Sequence, residues 1–297
     1  MLKLGLLGFG EVGYTFAKGI LEKGSACQVY THDLSQNDGW KGEQIRARAV
    51  ETKAVLVDSV EDLVKKSEII LGIVPSKASG SAAQTMAQYL TAGQAYCDLS
   101  SASPAVKKEA ARILESCKGT FIDGAIMGAM ATYGFKVPIF VAGEKAEGVA
   151  EKLKEVGFNL TYVGPEPGNA SAVKMLRASF TKGIEALIVE TFYAASRYGS
   201  QEMLLEVLAD TFDKESFRET VNRYITSDAI HAGRRADEVS GVIEFLKQSK
   251  IDPFVANGTY QRLKWSEGLG LREKLKGVTP KDFREVLPLY PPKDESR

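Results

Sequence analysis

Leu2-Lys3-Leu4-Gly5-Leu6-Leu7 runs without a break into Gly8-Phe9-Gly10-Glu11-Val12-Gly13. The first six residues are a short apolar run, the pattern of a strand buried in a parallel sheet. The next six match G-x-G-x-x-G and open Glu11–Lys23, whose pattern is helical. A glycine turn between a strand and a helix is the context that gives this motif its meaning. Gly8 permits a tight turn, Gly10 lets the backbone approach a pyrophosphate with no Cβ in the way, and Gly13 lets helix and strand pack closely. The first N–H groups of the helix then face the phosphates, helped by the helix dipole. Gly8, Phe9, Gly10, Glu11, Val12 and Gly13 are therefore candidate contacts for a dinucleotide. The alternative is a strand-to-helix turn that is merely rich in glycine.

Such a turn calls for an acid about 20 residues on, at the end of the second strand. Asp33 stands there in Tyr30-Thr31-His32-Asp33. A carboxylate accepts bonds from ribose hydroxyls and repels a 2′-phosphate, which favours NAD over NADP. If the strand stops earlier, Thr31 or His32 takes the place. Lys41, Arg46 and Arg48 follow and could instead meet a 2′-phosphate; the other reading of the three is a solvated loop.

The first half continues to alternate strands and helices. Strands are expected at Cys27–Thr31, Ala54–Val57, Ile69–Val74, Ala95–Asp98, Phe121–Ala125, Pro138–Ala142 and Leu160–Val163, with helices at Val60–Lys66 and Pro104–Ser116. This alternation argues for a parallel sheet covered on both faces. At Gly164-Pro165-Glu166-Pro167-Gly168 the pattern changes. Ser171–Tyr198 reads as one long helix, followed by helices at Gln201–Leu208, Lys214–Thr226, Arg234–Lys247 and Asp252–Glu267. The expected architecture is α/β: a Rossmann-type doubly wound sheet over 1–165, then an all-α domain over 166–297. The polar tail from Pro291 is expected to fray.

Composition narrows the function. The chain has 297 residues, with 38 basic against 38 acidic. That balance gives no reason to expect nucleic acid or an anionic membrane as a partner. No apolar run approaches the roughly 18 residues that span a bilayer. The apolar start runs into glycines and a helix and reads as a strand, not a signal peptide. Three scattered cysteines, Cys27, Cys97 and Cys117, argue against a disulfide framework or a zinc cage and fit a reducing cytoplasm. No metal is expected. H-E-x-x-H, C-x-x-C, the P-loop lysine motif and G-x-S-x-G are all absent.

Four stretches, in order, resemble the β-hydroxyacid dehydrogenase family, which includes phosphogluconate and 3-hydroxyisobutyrate dehydrogenases. They are the glycine turn, Val74-Pro75 at the end of an apolar strand, Asp98-Leu99-Ser100-Ser101-Ala102-Ser103-Pro104, and Gly168-Asn169-Ala170-Ser171-Ala172-Val173-Lys174. The resemblance implies that Val74 and Pro75 pass under the cofactor, that Ser100 lies near the nicotinamide and substrate, and that Lys174 is catalytic. It also implies a homodimer in which the helical domains pack together.

The lysine has an argument of its own. Its helix is apolar nearly all round, so burial is expected, and burial lowers an ammonium pKa toward neutrality. A lysine so poised can exchange a proton with an alcohol oxygen. The competing reading is that it snorkels to the helix edge. Arg177 and Thr181 follow at i+3 and i+7 on the same face, and Arg177 could clamp a carboxylate or phosphate. Ser103, directly before Pro104, serves as the helix cap and leaves Ser100 free.

The chain departs from the family in two places. Where a serine-glycine-glycine loop is usual, Ile126-Met127-Gly128-Ala129 stands, so Met127 and Gly128 are the candidate substrate contacts without a hydroxyl. Where an asparagine usually follows the lysine, Arg177 and Ala178 stand. Lys174-Met175-Leu176-Arg177-Ala178 and His231-Ala232-Gly233-Arg234-Arg235-Ala236-Asp237-Glu238 look like a subgroup with a C-terminal domain of unknown function. His231 and Arg234 either recognise an acidic substrate or belong to a helix start with a solvated basic face, paired with Asp237 and Glu238. The function expected is hydride transfer between NAD(P) and a small acidic β-hydroxy acid or similar alcohol. The rivals are an imine reductase and a non-catalytic NAD(P) sensor.

Overall fold

The computed structural model describes residues 1–291; the tail from Pro292 lies outside the described residues. Two compact units make up the chain, Met1–Ser179 and the remainder from Phe180.

The first unit is built on eight strands: β1 (Leu2–Leu7), β2 (Cys27–His32), β3 (Val55–Leu56), β4 (Ile69–Gly72), β5 (Ala95–Asp98), β6 (Thr120–Ile126), β7 (Pro138–Ala142) and β8 (Asn159–Tyr162). Their order across the sheet is β3-β2-β1-β4-β5-β6-β7-β8. This is the doubly wound arrangement, extended by two strands. All neighbours are parallel except β6 and β7, which pair antiparallel with Ile126 opposite Ile139. The all-parallel expectation fails there because the connection 127–137 is too short for a crossover helix across the sheet and folds back instead. It carries only a single helical turn, Met130–Tyr133, and a short 3-10 turn.

Side-chain alternation explains why both faces are covered. Leu4, Leu6, Ile69, Leu71, Ala95 and Cys97 point into one core, while Leu7, Ile70 and Tyr96 point into the other. On the first side lie α1 (Glu11–Lys23), α2 (Gly39–Thr52) and a later helix, Ala146–Glu155; their inner residues include Phe16, Ile45 and Leu153. On the other lie α3 (Val60–Lys66), α4 (Ser79–Tyr89) and α5 (Pro104–Glu115), packing Leu63, Met86 and Leu114. With the single turn Met130–Tyr133 as α6 and Ala146–Glu155 as α7, the unit ends in α8 (Asn169–Arg197).

α2 corrects the reading of Lys41, Arg46 and Arg48 as loop residues. Its buried stripe is Gly42, Ile45, Ala49 and Thr52, correctly spaced but too small and polar to stand out as apolar periodicity. The third strand also shrinks to Val55–Leu56. The cap on α5 is as expected: Ser103 accepts from the Val106 N–H and Pro104 occupies the first turn.

The second unit is helical: the rest of α8, then α9 (Gln201–Phe212), α10 (Phe217–Gln248), α11 (Phe254–Gly268), α12 (Leu271–Lys274) and α13 (Phe283–Val286). The two helices expected at Lys214–Thr226 and Arg234–Lys247 are one. A capping box between Ser216 and Glu219 starts α10, and no proline interrupts it before Gln248. Gly233 sits mid-helix, where a Cβ would stand 2.5 Å from Glu267 Oε1, the flexible end of a side chain on α11. His231 is therefore in the interior of a helix, not at its start. α11 begins where the Glu190 carboxylate accepts from the N–H groups of Val255 and Ala256, at 2.8 and 3.0 Å. Among the described residues no helix is long and apolar enough to cross a membrane.

α8 corrects a further expectation. Its apolar residues do not make it a buried helix: Leu176, Phe180, Leu187, Ile188 and Val189 are all exposed in the single chain.

Candidate functional site

β1 and β4 lie side by side where the strand order reverses. Doubly wound sheets bind ligands in the crevice at that point, outside the carboxyl ends of the strands. A cavity of about 900 Å³ opens there. Gly8, Gly10, Glu11 and Val12 form one part of its wall, and Asp33, Leu34 and Ser35 line it beyond β2. Ile73, Val74, Pro75 and Ser76 continue from β4, Leu99, Ser100 and Ser101 from β5, and Ile126, Gly128 and Met130 from β6. Lys174 and Arg177 close the list from the start of α8.

The three glycines of the turn have separate reasons. Gly8 has φ +104°, and a Cβ there would sit 2.3 Å from the Ile73 carbonyl oxygen. At Gly13 a Cβ would meet the Gly8 carbonyl at 2.5 Å, which is the helix–strand contact. At Gly10 a Cβ would meet nothing within 4 Å: the space beside it is open to the cavity. Phe9 is fully buried in the core, and only its backbone serves the turn. Its N–H donates to Asp33 Oδ2 at 2.7 Å, and Asp33 Oδ1 accepts from the Ser35 N–H at 2.9 Å. The acid thus ties the end of β2 to the glycine turn and faces the cavity. Arg46 donates to the Gln36 carbonyl at 2.6 Å, and Arg48 lies over the Tyr14 ring at 5.2 Å. The open space at Gly10, the acid beside it and the first turn of α1 fit the phosphates and ribose of a dinucleotide.

Farther along the cavity, Lys174 Nζ donates to Ser101 Oγ at 2.7 Å. Burial pulls the Lys174 ammonium below the ordinary lysine pKa, and the charge of Lys107 adds to the fall. Ser100 is buried, and its Oγ has no hydrogen-bond partner among the described residues. Its N–H donates to Asp98 Oδ1 at 2.8 Å. An unpaired buried hydroxyl at a cavity wall calls for a partner from the cavity, a water or a ligand.

The structure brings together the glycine turn, Asp33, Val74, Pro75, Ser100, Gly128, Lys174 and Arg177. It takes Met127 elsewhere: that side chain packs with Ala125, Ala142, Ala170 and Phe140, and Ile126 and Met130 face the cavity in its place. The strand period explains the swap, since adjacent residues point to opposite sides. His231 and Arg234 lie on α10 in the second unit. Arg234 pairs with Glu238 at 3.1 Å in solvent, and Arg235 donates to Ser227 Oγ at 2.9 Å.

Sequence reasoning missed Ser101, the hydrogen-bond partner of Lys174. It also missed a buried trio behind the wall: Lys107 lies 3.1 Å from Asp98 Oδ1 and 3.9 Å from Asp123 Oδ1. A signal existed, since Lys107 falls on the same face of α5 as the buried Ala110 and Leu114. A charge on an apolar stripe requires a partner.

Comparison with known proteins agrees with this geometry. Residues 3–164 match the family model described as the NAD binding domain of 6-phosphogluconate dehydrogenase, and residues 195–266 match a domain of unknown function, DUF1932. A solved conserved protein of unknown function, described as similar to 3-hydroxyacid dehydrogenases, is 32% identical. It covers 93% of this chain and 100% of its own, with a TM-score of 0.64. The human mitochondrial 3-hydroxyisobutyrate dehydrogenase is 26% identical over 181 residues, 58% of this chain and 50% of that protein. An imine reductase from Aspergillus terreus, solved with NADPH4 and a dibenzazepine, shares the fold at a TM-score of 0.72 and 14% identity over 98% of this chain and 99% of its own. The match spans more than half the chain and includes the glycine turn and Asp33: this protein belongs to the family with the NAD-binding domain of 6-phosphogluconate dehydrogenase.

Proposed function

We propose that this protein is an NAD(P)-dependent dehydrogenase that oxidises a small acidic β-hydroxy acid or similar polar alcohol, with Lys174 as general acid/base. One observation carries the reading: a half-buried lysine of lowered pKa, hydrogen-bonded to Ser101, stands on the same cavity as the glycine turn. A bound nicotinamide supplies the hydride acceptor. The neutral Lys174 amine takes the hydroxyl proton of the substrate as its carbon is oxidised, and Ser101 Oγ fixes the direction of Nζ. The Ser100 hydroxyl and the backbone at Gly128 orient the substrate oxygens. Arg177 holds its anionic group through a charge-assisted bond. His231 and Arg234 belong to the helical region to which we assign substrate selection.

The test is a spectrophotometric screen of hydroxy acids and polar alcohols with NAD and NADP, with cyclic imines in the reverse direction. Turnover of a hydroxy acid is expected. Turnover of imines alone would move the protein to the C=N reductases, and tight cofactor binding with no turnover would make it a sensor.

NAD is the cofactor this reading prefers. Asp33 is held at the ribose end by two backbone N–H groups, while Arg46 and Arg48 are already engaged. Asp33→Ala is expected to weaken NAD by about tenfold, the worth of a hydrogen bond to a charged group, and to leave NADP unchanged or tighter. Fluorescence titration with both cofactors reads this; a wild-type preference for NADP would refute it.

We further propose a cytoplasmic homodimer. The exposed apolar face of α8 supports the dimer, and three free thiols among the described residues support the compartment. Sedimentation at micromolar concentration is expected to give twice the chain mass.

A further inference from the structure

Among the described residues Lys107 is the only lysine whose side chain is wholly buried. An ammonium in that setting is costly unless paired and hydrogen-bonded. Its Nζ donates to the Asp98 carbonyl oxygen at 2.5 Å and reaches Gly124 O at 3.5 Å, besides the two carboxylates. Each carboxylate also holds part of the catalytic wall. Asp98 accepts from the Ser100 N–H and from the Ser79 hydroxyl. Asp123 Oδ2 accepts from the N–H groups of Gly168 and Ser171, at 2.9 and 3.1 Å, and from the Ser171 hydroxyl at 3.2 Å. Asp123 Oδ1 has no hydrogen bond among the described residues, and Lys107 is the cation that faces it.

The turn after β5 carries Ser101, and the second turn of α8 carries Lys174. We infer that Lys107 is a positioning residue for Lys174: it clamps the carboxylate that holds the Ser100–Ser101 turn to the carboxylate that holds the start of α8. Its importance for catalysis rests on the role proposed for Lys174; the clamp itself does not.

Two consequences have the same sign. Without the clamp Lys174 becomes better hydrated, and without Lys107 a like charge is gone; both raise the Lys174 pKa. The titratable and charged groups that line the cavity with Lys174 are Glu11, His32, Asp33 and Arg177; Lys107 from α5 acts on it from behind the wall, where Asp98 and Asp123 pair with Lys107.

The test is competitive acetylation of the full-length protein with trace acetic anhydride between pH 6 and 10, read at each lysine by peptide mass spectrometry. Lys174 of the wild type is expected to react at lower pH than the exposed Lys41 and Lys118. In Lys107→Met its profile moves toward theirs, and its relative reactivity at pH 8 falls by about threefold or more. Should that variant fail to fold, Lys107→Met with Asp98→Asn gives the same reading. The amide keeps an acceptor for the Ser100 N–H, and the trio keeps its net charge, so movement of the profile then reports lost positioning. An unchanged Lys174 profile in a folded variant, even one with a lower Tm, would reduce Lys107 to an ordinary structural ion pair. A wild-type Lys174 that titrates with Lys41 overturns the inference as well. Labelling needs no substrate, so an absence of turnover in the screen, with the profile as expected, counts against the dehydrogenase reading alone.

Discussion

Lys174→Ala is expected to lower kcat/KM by about 10²–10⁴-fold while the affinity for cofactor stays within about twofold, the range set by loss of a positioned general acid/base. The contacts proposed for the cofactor lie at the glycine turn and Asp33, so the truncation leaves those groups in place. Direction matters as much as size. The wild-type oxidation rate should rise with pH through the lowered pKa of Lys174, because the neutral amine is the base. The reverse reduction should fall over the same interval, because it needs the ammonium. In the alanine variant both limbs should flatten. Initial rates in each direction across pH 6 to 10 read this, and a variant with wild-type rates would remove Lys174 from the mechanism. Lys174→Arg is the control for charge: it keeps a cation but not a group that deprotonates in this range, so oxidation should remain poor.

Gly10→Val is expected to weaken dinucleotide binding by about 10–100-fold with the cofactor-free Tm unchanged. Overpacking a close-fitting contact costs about 1–3 kcal/mol, and about 1.4 kcal/mol is a tenfold change in affinity. The separation of the two effects follows from geometry. Gly10 has extended backbone, with φ −68° and ψ −153°, and nothing within 4 Å of an added Cβ. The fold therefore has room for the added Cβ, and a ligand seated in the open space is what the side chain meets. Gly10→Ala should fall between. Gly8→Ala is the contrasting case: its positive φ and the nearby Ile73 carbonyl mean that Tm and binding should drop together. Calorimetric titration and thermal melts of the three variants decide it; unchanged affinity in Gly10→Val would detach the turn from cofactor binding.

Much of this was legible in the chain. The unit β1–α1–β2 stands almost residue for residue where hydrophobic pattern and glycines place it, because every local preference there agrees with the tertiary demand. Ser103 before Pro104 capped α5 for the same reason. α2 was hidden because a helix packed closely against its neighbours buries glycine and alanine in place of leucine. α10 read as two helices because small and polar residues over most of 227–233 interrupt the apolar pattern, yet nothing there stops the helix. Met127 and Ile126 differ by one position, and one position on a strand reverses the face. Ser101 left no mark on periodicity, and Lys107 showed only as a charge on the buried stripe of α5. Their partners lie 73 residues away in one case and on two separate strands in the other, so only topology brings them together.

The hydrogen bonds from Gly168 and Ser171 to Asp123 have a consequence for how the chain divides. They root Lys174 in the nucleotide-binding unit, although the helix that carries it continues into the other unit. On the role proposed for Lys174, the proton-transfer half of the chemistry then belongs to the same unit as the cofactor half. A chimera joined after Ser179, with the helical region of another family member, should keep the reaction of this protein and take on the donor's choice of substrate.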